Sequence, residues 1–600
     1  MISVPKRIAA LAAAAVAAGT LAACGGSSGG GSPGGSNAGT PVKGGTLNMV
    51  AAGDVDHMDT LSAYYTPTSQ LEGAFTRQLV NYYPSNSRTR AITIAPDVAS
   101  TVPTKSNGGI SSNGLTYTFH LRQGVDWNTS PPRQVTSADF AREFKWMCNP
   151  VLGVGNPLYY TQTIKGMSSY CTAFAALKSP TPASMTAFTN SHSISGISTP
   201  NPLEIKFTLT QPAYDFLNIL AMPFASARPA EYDSYPPDSA AFRQHTLSDG
   251  PYAITQYIAN KKIVLSRNPA WKQSTDPLRH QYVNQINITE GVISNQTQLA
   301  GVQAGTYDLM WDTPVPTSSI PQLEAQPNSG LHIYTDTGSA NPYVVMNFQS
   351  PDANHAMSKL KVRQAIEYAI NKVAIAKIYG GTKLSPVLNE AVAPGNAGFS
   401  SYNYYPTPNN EGNAAKCKAL LAQAGYPHGM TITDVYRNAG NHPAVFTSVQ
   451  SSLKACGITS KGSPQEQGPY FAFIENAPNS AKPNQWDISE PGWVPDWLGP
   501  NNARSNIVPL FQTNCTNPTT NDGCYSDPKT NAGIASALKA PNAAAAAPYW
   551  VKAGQQVMKD AAIVPLTTEN YALFAGSKVH NLIYNPLAAQ WNLTQLWLSP

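Results

Sequence analysis

Residues 114–139 read GLTYTFHLRQGVDWNTSPPRQVTSAD, and they contain two different secondary-structure patterns in succession. In the first half, apolar side chains alternate with polar ones, at Leu115, Tyr117, Phe119 and Leu121. A period of two residues is that of a half-buried strand. In the second half, Thr136 with Asp139 three residues later predicts the start of a helix. The stretch therefore predicts a strand, a loop and a helix, a unit that occurs in many folds.

The residue identities in this stretch resemble a block of family 5 of the bacterial extracellular solute-binding proteins. These are the receptors of ABC-type peptide and nickel importers. Their block runs Gly-Leu-Thr-Tyr-Thr-Phe, then Leu-Arg-x-Gly-Val and an aromatic residue, and later Thr-Ala-x-Asp. The matching positions here are 114–119, 121–125, Trp127 and 136–139. Later segments resemble further family blocks, so that the resemblance runs from residue 44 to about residue 566.

The resemblance implies an α/β fold of the periplasmic-binding-protein type II architecture. In this architecture two α/β lobes are joined by hinge strands, and the family adds an extra lobe. The expected segments are 44–86 and 201–305 for lobe I, 87–200 for the extra lobe II, 306–555 for lobe III, and 556–600 for the return to lobe I.

Two further elements are predicted inside these segments. Residues 359–379 carry an apolar stripe at helical spacing and are followed by Gly380, which predicts one continuous helix. Residues 562–566 resemble the closing strand of the family, and the resemblance implies that this strand returns the chain to lobe I.

The length of the chain bears on the number of its lobes, and its charge bears on the class of its partner. The 600 residues are too many for a single hydrophobic core, so two or three lobes are expected. The net charge is +5, from 39 basic and 34 acidic residues, and charged residues make up only 12% of the chain. A chain so nearly balanced gives no indication of a nucleic-acid partner. We expect a monomer.

The first 24 residues predict a lipoprotein signal peptide. Lys6 and Arg7 precede a short apolar run, and Leu-Ala-Ala-Cys at positions 21–24 resembles the lipobox in which the cysteine is lipid-modified. An ordinary signal peptide with a chance cysteine is the alternative. The apolar run is too short for a stable transmembrane helix. Cys24 is therefore predicted to anchor the exported chain to the outer face of the cytoplasmic membrane. Residues 25–43 would form a flexible Gly/Ser-rich tether.

The other six cysteines predict disulfides. An even number in an exported chain favours pairing, although six cysteines allow fifteen connectivities. Pairing of sequence neighbours is the simplest of these, namely Cys148–Cys171, Cys417–Cys456 and Cys515–Cys524. A zinc site is not indicated, because the chain has no Cys-x-x-Cys pair and its ten histidines lack the spacing of ligands.

The candidate ligand-binding residues follow from the resemblance. In peptide-binding members of the family, an Asp in a Gly-Trp-x-x-Asp-Tyr segment meets the α-ammonium of the peptide. Here Trp493 and Asp496 match that segment, and Trp497 replaces the Tyr. The alternative for Asp496 is a turn carboxylate that caps backbone amides. The two tryptophans are either apolar walls of the ligand site or simple core residues.

Tyr64 and Tyr65 are further candidates. They follow a polar loop that resembles the family's loop at the mouth of the ligand cleft. The alternative is that both are core aromatics.

Taken as a whole, the resemblance implies a substrate-binding lipoprotein of an ABC importer. It would capture extracellular peptides in a cleft between lobes and deliver them to a membrane permease, which a separate ATPase subunit powers. No cofactor is implied. We do not expect an enzyme, because the sequence has no His-Glu-x-x-His motif, no Walker loop and no arrangement of Ser, His and Asp typical of a hydrolase. The alternatives are a receptor of the same fold for a nickel chelate, an oligosaccharide or a siderophore-like compound, and a surface lipoprotein for sensing or adhesion.

Overall fold

The computed structural model describes residues 39–335, 341–516 and 518–600. The predicted signal peptide with Cys24, and most of the predicted tether, lie outside the described residues. In order, the strands β1 to β24 are Thr46–Ala51, Val80–Tyr82, Ile94–Pro96, Thr116–His120, Asp126–Trp127, Arg133–Gln134, Ile197–Asn201, Glu204–Thr208, Tyr252–Ile258, Lys262–Arg267, Gln285–Thr289, Leu309–Trp311, Leu331–Tyr334, Asn341–Met346, Met430–Arg437, Ile458–Gln465, Ile488–Ser489, Gly492–Trp493, Ile563–Pro565, Tyr571–Phe574, Val579–His580, Tyr584–Asn585, Gln590–Trp591 and Trp597–Leu598.

The α-helices of the described residues are numbered α1 to α20. In order, they are Thr66–Phe75, Arg88–Ala91, Ser137–Trp146, Leu158–Thr161, Met167–Ala175, Pro182–Ser191, Phe216–Leu220, Ala240–Arg243, Asn295–Gln303, Ile320–Glu324, Asp352–His355, Leu360–Ala369, Lys372–Ile378, Ala414–Gln423, His442–Ala455, Pro469–Ile474, Ala477–Ser480, Ala503–Phe511, Pro528–Leu538 and Ala543–Lys559. None of the helices in this described part is long and apolar enough to cross a bilayer.

Three sheets of three or more strands organise the described chain. The first has the order β12-β1-β11-β10-β9, with β1 parallel to both β11 and β12. The second has the order β4-β8-β7 and is antiparallel. The third has the order β16-β15-β17-β14-β18, with β19 paired to β14. Helices alternate with these strands along the chain, as expected for an α/β fold.

The predicted strand and helix of residues 114–139 are confirmed. Tyr117 and Phe119 are buried on β4 and pair with Phe207 and Ile205 of β8. Helix α3 begins directly after Thr136, and the carboxylate of Asp139 accepts a hydrogen bond of 2.8 Å from the backbone N–H of Thr136. Local periodicity and capping were therefore sufficient to place this unit.

The single helix predicted for residues 359–379 is wrong, because the structure has two helices there. Helix α12 ends at Ala369, and Ile370 has an extended backbone. The side chain of Asn371 then accepts a hydrogen bond of 2.9 Å from the backbone N–H of Ala374, which caps α13. A capping Asn starts a new helix although the apolar stripe continues through it.

The closing strand of residues 562–566 is present as β19, but its partner differs from the expected one. It pairs with β14 of the third sheet, from Tyr343 opposite Pro565 to Val345 opposite Ile563. The chain returns toward the first sheet only afterwards, where Ala575 bridges to Leu309. The first sheet also extends past residue 305, since β12 pairs with β1. The lobe boundaries themselves stay a prediction.

The core against the first sheet combines both ends of the described chain. Leu47 and Met49 of β1 are buried in one cluster with Ile286 of β11. Trp591 and Leu596, near the C-terminal end, are buried in the same cluster. The last strands therefore complete a core that the first strand begins.

Two of the three predicted disulfides are present. Cys148 is bonded to Cys171, and Cys417 is bonded to Cys456, with Cα atoms 5.1 and 5.8 Å apart respectively. Cys515 and Cys524 are free thiols in this structure, and their side chains are hydrogen-bonded to each other. The third pair is therefore adjacent in space but not bonded here.

Candidate functional site

A cavity of about 390 Å³ lies where strands of the first and third sheets end. Asp312 follows β12, Arg437 is the last residue of β15, and Asp496 follows β18, and all three line the cavity. In open α/β sheets, ligands bind at the carboxyl ends of parallel strands. The strand ends thus bring together polar side chains that are far apart in sequence.

Asp496 lies in the cavity wall and is held by two tyrosines. Its Oδ2 atom accepts a hydrogen bond of 2.5 Å from the hydroxyl of Tyr159 and one of 3.1 Å from the hydroxyl of Tyr64. Burial raises the pKa of Asp496 to about 7, against the opposite effect of these two hydrogen bonds. Asp496 accepts from no backbone amide among the described residues, so it is not the amide-capping turn carboxylate of the alternative interpretation.

Tyr64 and Trp493 form an aromatic part of the cavity wall. The ring of Tyr64 lies edge-on to Phe224 at 4.9 Å and to Trp493 at 5.7 Å. A Cβ atom at Gly155 would lie 2.6 Å from Cδ1 of Tyr64, so the ring occupies this position because residue 155 is glycine. Trp493 is half-buried, and its Nε1 donates to the carbonyl of Ser505 at 2.8 Å, which orients the indole.

The structure places Trp497 in the core and not in the cavity wall. It is 0% exposed, and its Nε1 donates to the carbonyl of Asn501 at 3.1 Å. Its ring lies 5.2 Å from that of Tyr159. Trp497 therefore supports Tyr159 from behind, and its prediction as a ligand contact is corrected to a packing role. Trp497 lies four positions after Trp493, and the sequence alone does not tell which of the two tryptophans faces the cavity.

Tyr65 belongs to a second polar group on the cavity wall. Its hydroxyl donates to Oδ2 of Asp312 and accepts from Nε2 of Gln467. Gln467 also donates to Asp312 at 3.2 Å. Since Gln467 follows β16 of the third sheet and Asp312 follows β12 of the first, this group ties the two sheets together. Burial raises the pKa of Asp312 to about 7.

Arg437 is a functional candidate that the sequence reasoning missed. Its side chain lines the cavity, and the guanidinium carbon lies 5.3 Å from the ring centres of both Tyr470 and Phe471. Its Nε has no hydrogen-bond partner, and Arg437 forms no ion pair within the part of the chain that the structure describes. The signal that could have found it is its position at the carboxyl end of a strand in a parallel pair.

Two further carboxyl groups line the same cavity. Burial raises the pKa of Glu569 to about 7, while the charge of Arg437 acts in the opposite direction. Burial raises the pKa of Glu475 well above its ordinary value, and the nearby negative charges of Asp522 and Asp56 add to the effect. The cavity wall is therefore rich in acids that are easily protonated while no cation is bound.

The family model that matches this chain is described as bacterial extracellular solute-binding proteins, family 5 middle, and it covers residues 93–513. Among curated relatives, the glutathione-binding protein GsiB of Salmonella paratyphi A is 26% identical over 509 residues, which cover 82% of each chain. The protein of the same name from Pectobacterium atrosepticum is 28% identical over 380 residues, which cover 61% of this chain and 67% of the other.

Solved structures share the fold over almost the whole chain. The murein tripeptide binding protein MppA of Escherichia coli has a TM-score of 0.75 at 17% identity, covering 93% of this chain and 99% of its own. The periplasmic binding protein DppA of Helicobacter pylori, solved with the peptide STSA, has a TM-score of 0.71 at 22% identity, covering 93% and 98%. At these identities the likeness shows the fold alone.

Proposed function

Because this chain belongs to family 5 of the bacterial extracellular solute-binding proteins, we propose that its solute is a peptide with free termini, bound in the cavity around Asp496. The fold is that of the type II periplasmic binding proteins. The relatives and structural neighbours are binding proteins and not enzymes. Family members work with the permease and the ATPase of an ABC importer. The peptide, the residues that hold it and the lipid anchor are our proposal.

The observation that carries this proposal is that Asp496 lines the cavity and accepts hydrogen bonds from two tyrosine hydroxyls on one of its oxygens. A buried ammonium without a counter-ion would cost several kcal/mol. Asp496 can supply that counter-ion, and the hydroxyls of Tyr64 and Tyr159 keep its carboxylate oriented.

Arg437 gives the cavity a matching cation. A free peptide ends in a carboxylate, and a guanidinium presents donors in a fork that fits a carboxylate. Arg437 lines the cavity, and its Nε is without a partner among the described residues. We assign the C-terminal carboxylate of the peptide to Arg437 and the ammonium to Asp496. Trp493 would be an apolar wall of the ligand site.

Delivery to the permease follows from closure of the lobes. The contacts of Asp496 with Tyr64 and of Gln467 with Tyr65 join segments of the third sheet to the loop that follows the first strand. Movement of the sheets apart would break both contacts and open the cavity. A ligand that touches both sides selects the closed form, and this form would dock on the permease.

The test is to identify the natural ligand and then to titrate it. Protein purified without denaturation is extracted, and the released compound is identified by mass spectrometry. We expect peptides with free termini, and we expect synthetic copies to bind in calorimetry. Release of a nickel chelate, a sugar or a siderophore-like compound, with no binding of any free peptide, would overturn the proposal.

We also propose that Cys24 carries the lipid that holds the chain at the outer face of the cytoplasmic membrane. Its support is the lipobox-like sequence at residues 21–24. A Cys24→Ala variant should leave the membrane fraction while it still binds ligand. A variant that stays as firmly attached as the wild type would contradict the anchor.

A further inference from the structure

Carboxyl groups outnumber cations along the described wall of the cavity. The acids are Asp56, Asp312, Glu475, Asp496 and Glu569, and the guanidinium groups are those of Arg279 and Arg437. Asp56 is already used, because its Oδ2 accepts from the backbone N–H groups of Tyr64 and Tyr65 at 2.7 and 2.9 Å. Arg279 is also used, because it pairs with Asp97 at 2.8 Å. Glu569 also interacts with other groups of the protein. Asp312, Glu475 and Asp496 therefore remain for one guanidinium, that of Arg437.

The histidines of the cavity wall do not supply the missing positive charge. Burial lowers the pKa of His442 well below its ordinary value, so that its ring is neutral at physiological pH. Nδ1 of His57 lies 2.7 Å from Oδ2 of Asp238, which is not one of these three acids, so any positive charge on His57 is already paired there. A peptide whose only charges are its two termini would pair with Asp496 and Arg437 and would leave an acidic wall uncompensated.

Glu475 stands out among the remaining acids. It directly follows α16, is half-buried in the cavity wall, and its side chain has no hydrogen bond or ion pair with any residue that the structure describes. By contrast, Asp312 is held by Tyr65 and Gln467. Glu475 is thus a carboxyl group that faces the cavity and is not used by the protein itself.

A second acceptor on the same wall is also unused. Gln467, which precedes α16, is 7% exposed, and its Oε1 has no hydrogen-bond partner among the described residues. A buried acceptor without a donor costs free energy, and a ligand rich in donors would satisfy it. An arginine side chain offers five N–H donors and no acceptor.

Glu475 and Asp496 lie on the same side of the cavity. Tyr64 donates to Asp496 at 3.1 Å, and the ring of the next residue, Tyr65, lies 5.7 Å from that of Phe471. Glu475 lies one helical turn after Phe471, and its backbone N–H donates to the carbonyl of Phe471 at 2.9 Å. A ligand whose ammonium is bound at Asp496 therefore brings its neighbouring groups close to Glu475. The nearest side chain of such a peptide is that of its first residue.

We infer that Glu475 binds a second positive charge of the ligand, the guanidinium or ammonium group of a basic side chain in the first residue of the peptide. This inference rests on the proposed function and narrows it to basic peptides. Glutathione, for which the curated relatives are named, has the opposite charge pattern. It brings two carboxylates and one ammonium to a cavity with one available guanidinium.

Three peptides test the inference by calorimetric titration. Arg-Ala-Ala and citrulline-Ala-Ala have nearly the same shape and differ in the side-chain charge, and Ala-Ala-Ala measures binding through the termini alone. On the wild type we expect the arginine peptide to bind about 30-fold more tightly than the citrulline peptide. On Glu475→Gln we expect this ratio to fall to near one, while the affinity for Ala-Ala-Ala changes little.

Each outcome decides between the two proposals. If Ala-Ala-Ala binds but the arginine peptide has no advantage over the citrulline peptide on the wild type, the inference is wrong and the proposed function stands. If the advantage persists in Glu475→Gln, Glu475 is not the partner and the inference is wrong. If none of the three peptides binds the wild type, the proposed function and the inference both fall. The comparison on the wild type needs no variant, so it decides even if Glu475→Gln does not fold.

Discussion

The hydroxyl of Tyr159 donates a hydrogen bond of 2.5 Å to Oδ2 of Asp496, although 337 positions separate the two residues in the chain. Tyr159 lies on α4, in the segment between the strands of the second sheet, and Asp496 follows β18 of the third sheet. The contact therefore joins two parts of the molecule at the cavity wall. It orients the carboxylate in the cavity wall. Because the side-chain oxygen of an Asn could still accept this hydrogen bond, Asp496→Asn should change affinity more than fold.

Replacement of Asp496 by Asn should remove the partner of the ligand's ammonium while the shape of the site is kept. Loss of one member of a buried charge pair costs roughly 3–5 kcal/mol, or about two to four decades of affinity. Acetylation of the peptide's N-terminus should cost the wild type a similar amount and should add little in the variant. Calorimetry on both proteins with both peptides completes the cycle.

A matched control comes from Asp249, a buried carboxyl group that does not line the cavity. Asp249→Asn makes the same chemical change away from the ligand and should leave the affinity unaltered. If the losses of binding free energy from Asp496→Asn and from N-terminal acetylation simply add, the two groups do not meet.

The affinity for the ammonium should depend on pH with a defined sign. In the proposed complex the ammonium pairs with the ionised form of Asp496, whose pKa in the free protein is raised to about 7 by burial. Below this pH a proton must leave before the ammonium can bind, so affinity falls by up to about tenfold for each pH unit. Titrations of free and N-acetylated peptide across this range isolate the contribution of the ammonium, since other cavity acids affect both peptides. The difference between the two peptides should lose its pH dependence in Asp496→Asn, and a dependence that remains would assign the proton to another group.

Replacement of Arg437 by Met should remove the partner of the peptide's C-terminus. The apolar stem of the side chain is nearly kept, so that packing on Tyr470 and Phe471 is retained. We expect a loss of roughly 2–5 kcal/mol in binding free energy for a peptide with a free carboxylate. A C-terminally amidated peptide should bind the wild type and the variant about equally. A variant that still discriminates between the acid and the amide would place the carboxylate elsewhere.

The two disulfides should differ in how much they contribute to the free energy of unfolding. Removal of the Cys417–Cys456 bridge by a double Ser substitution opens a loop with a sequence separation of 39 and should lower the free energy of unfolding by roughly 3–4 kcal/mol. Chemical denaturation of the oxidised protein measures the loss, with the double Ser variant at Cys148 and Cys171, whose separation is 23, for comparison.

The third cysteine pair is tested by peptide mapping of the exported protein without reduction. Cys515 and Cys524 are hydrogen-bonded neighbours in this structure, so we expect them to be linked in an oxidising compartment. Recovery of both as free thiols would show that the pair stays reduced.

The elements predicted well from the sequence are those whose signals are local. The alternation from Tyr117 to Leu121 matches burial residue by residue, and the capping of α3 by Thr136 and Asp139 spans four positions. The break at Asn371 was missed because the apolar stripe runs through it. The pattern records which side is buried, and it does not record that the backbone turns there.

Only part of the candidate site was predicted from the sequence, and the reason is again physical. Asp496, Trp493, Tyr64 and Tyr65 line one cavity, and their contact with a ligand stays a prediction. Trp497 does not, because an apolar ring suits a core and a ligand wall equally well. Tyr159, Arg437 and Glu475 were not found, since their importance comes from neighbours far away in the chain. Such pairings are set by how the sheets meet, which no local pattern contains.

The burial of Trp591 and Leu596 in the same cluster as Leu47 has a consequence for how the protein is made. At roughly 5–20 residues per second, a ribosome needs on the order of half a minute or more to pass from the first of these residues to the last. Through all of that time the first strand lacks part of its hydrophobic cover. The order of synthesis itself therefore delays completion of this core until the last described residues have been made.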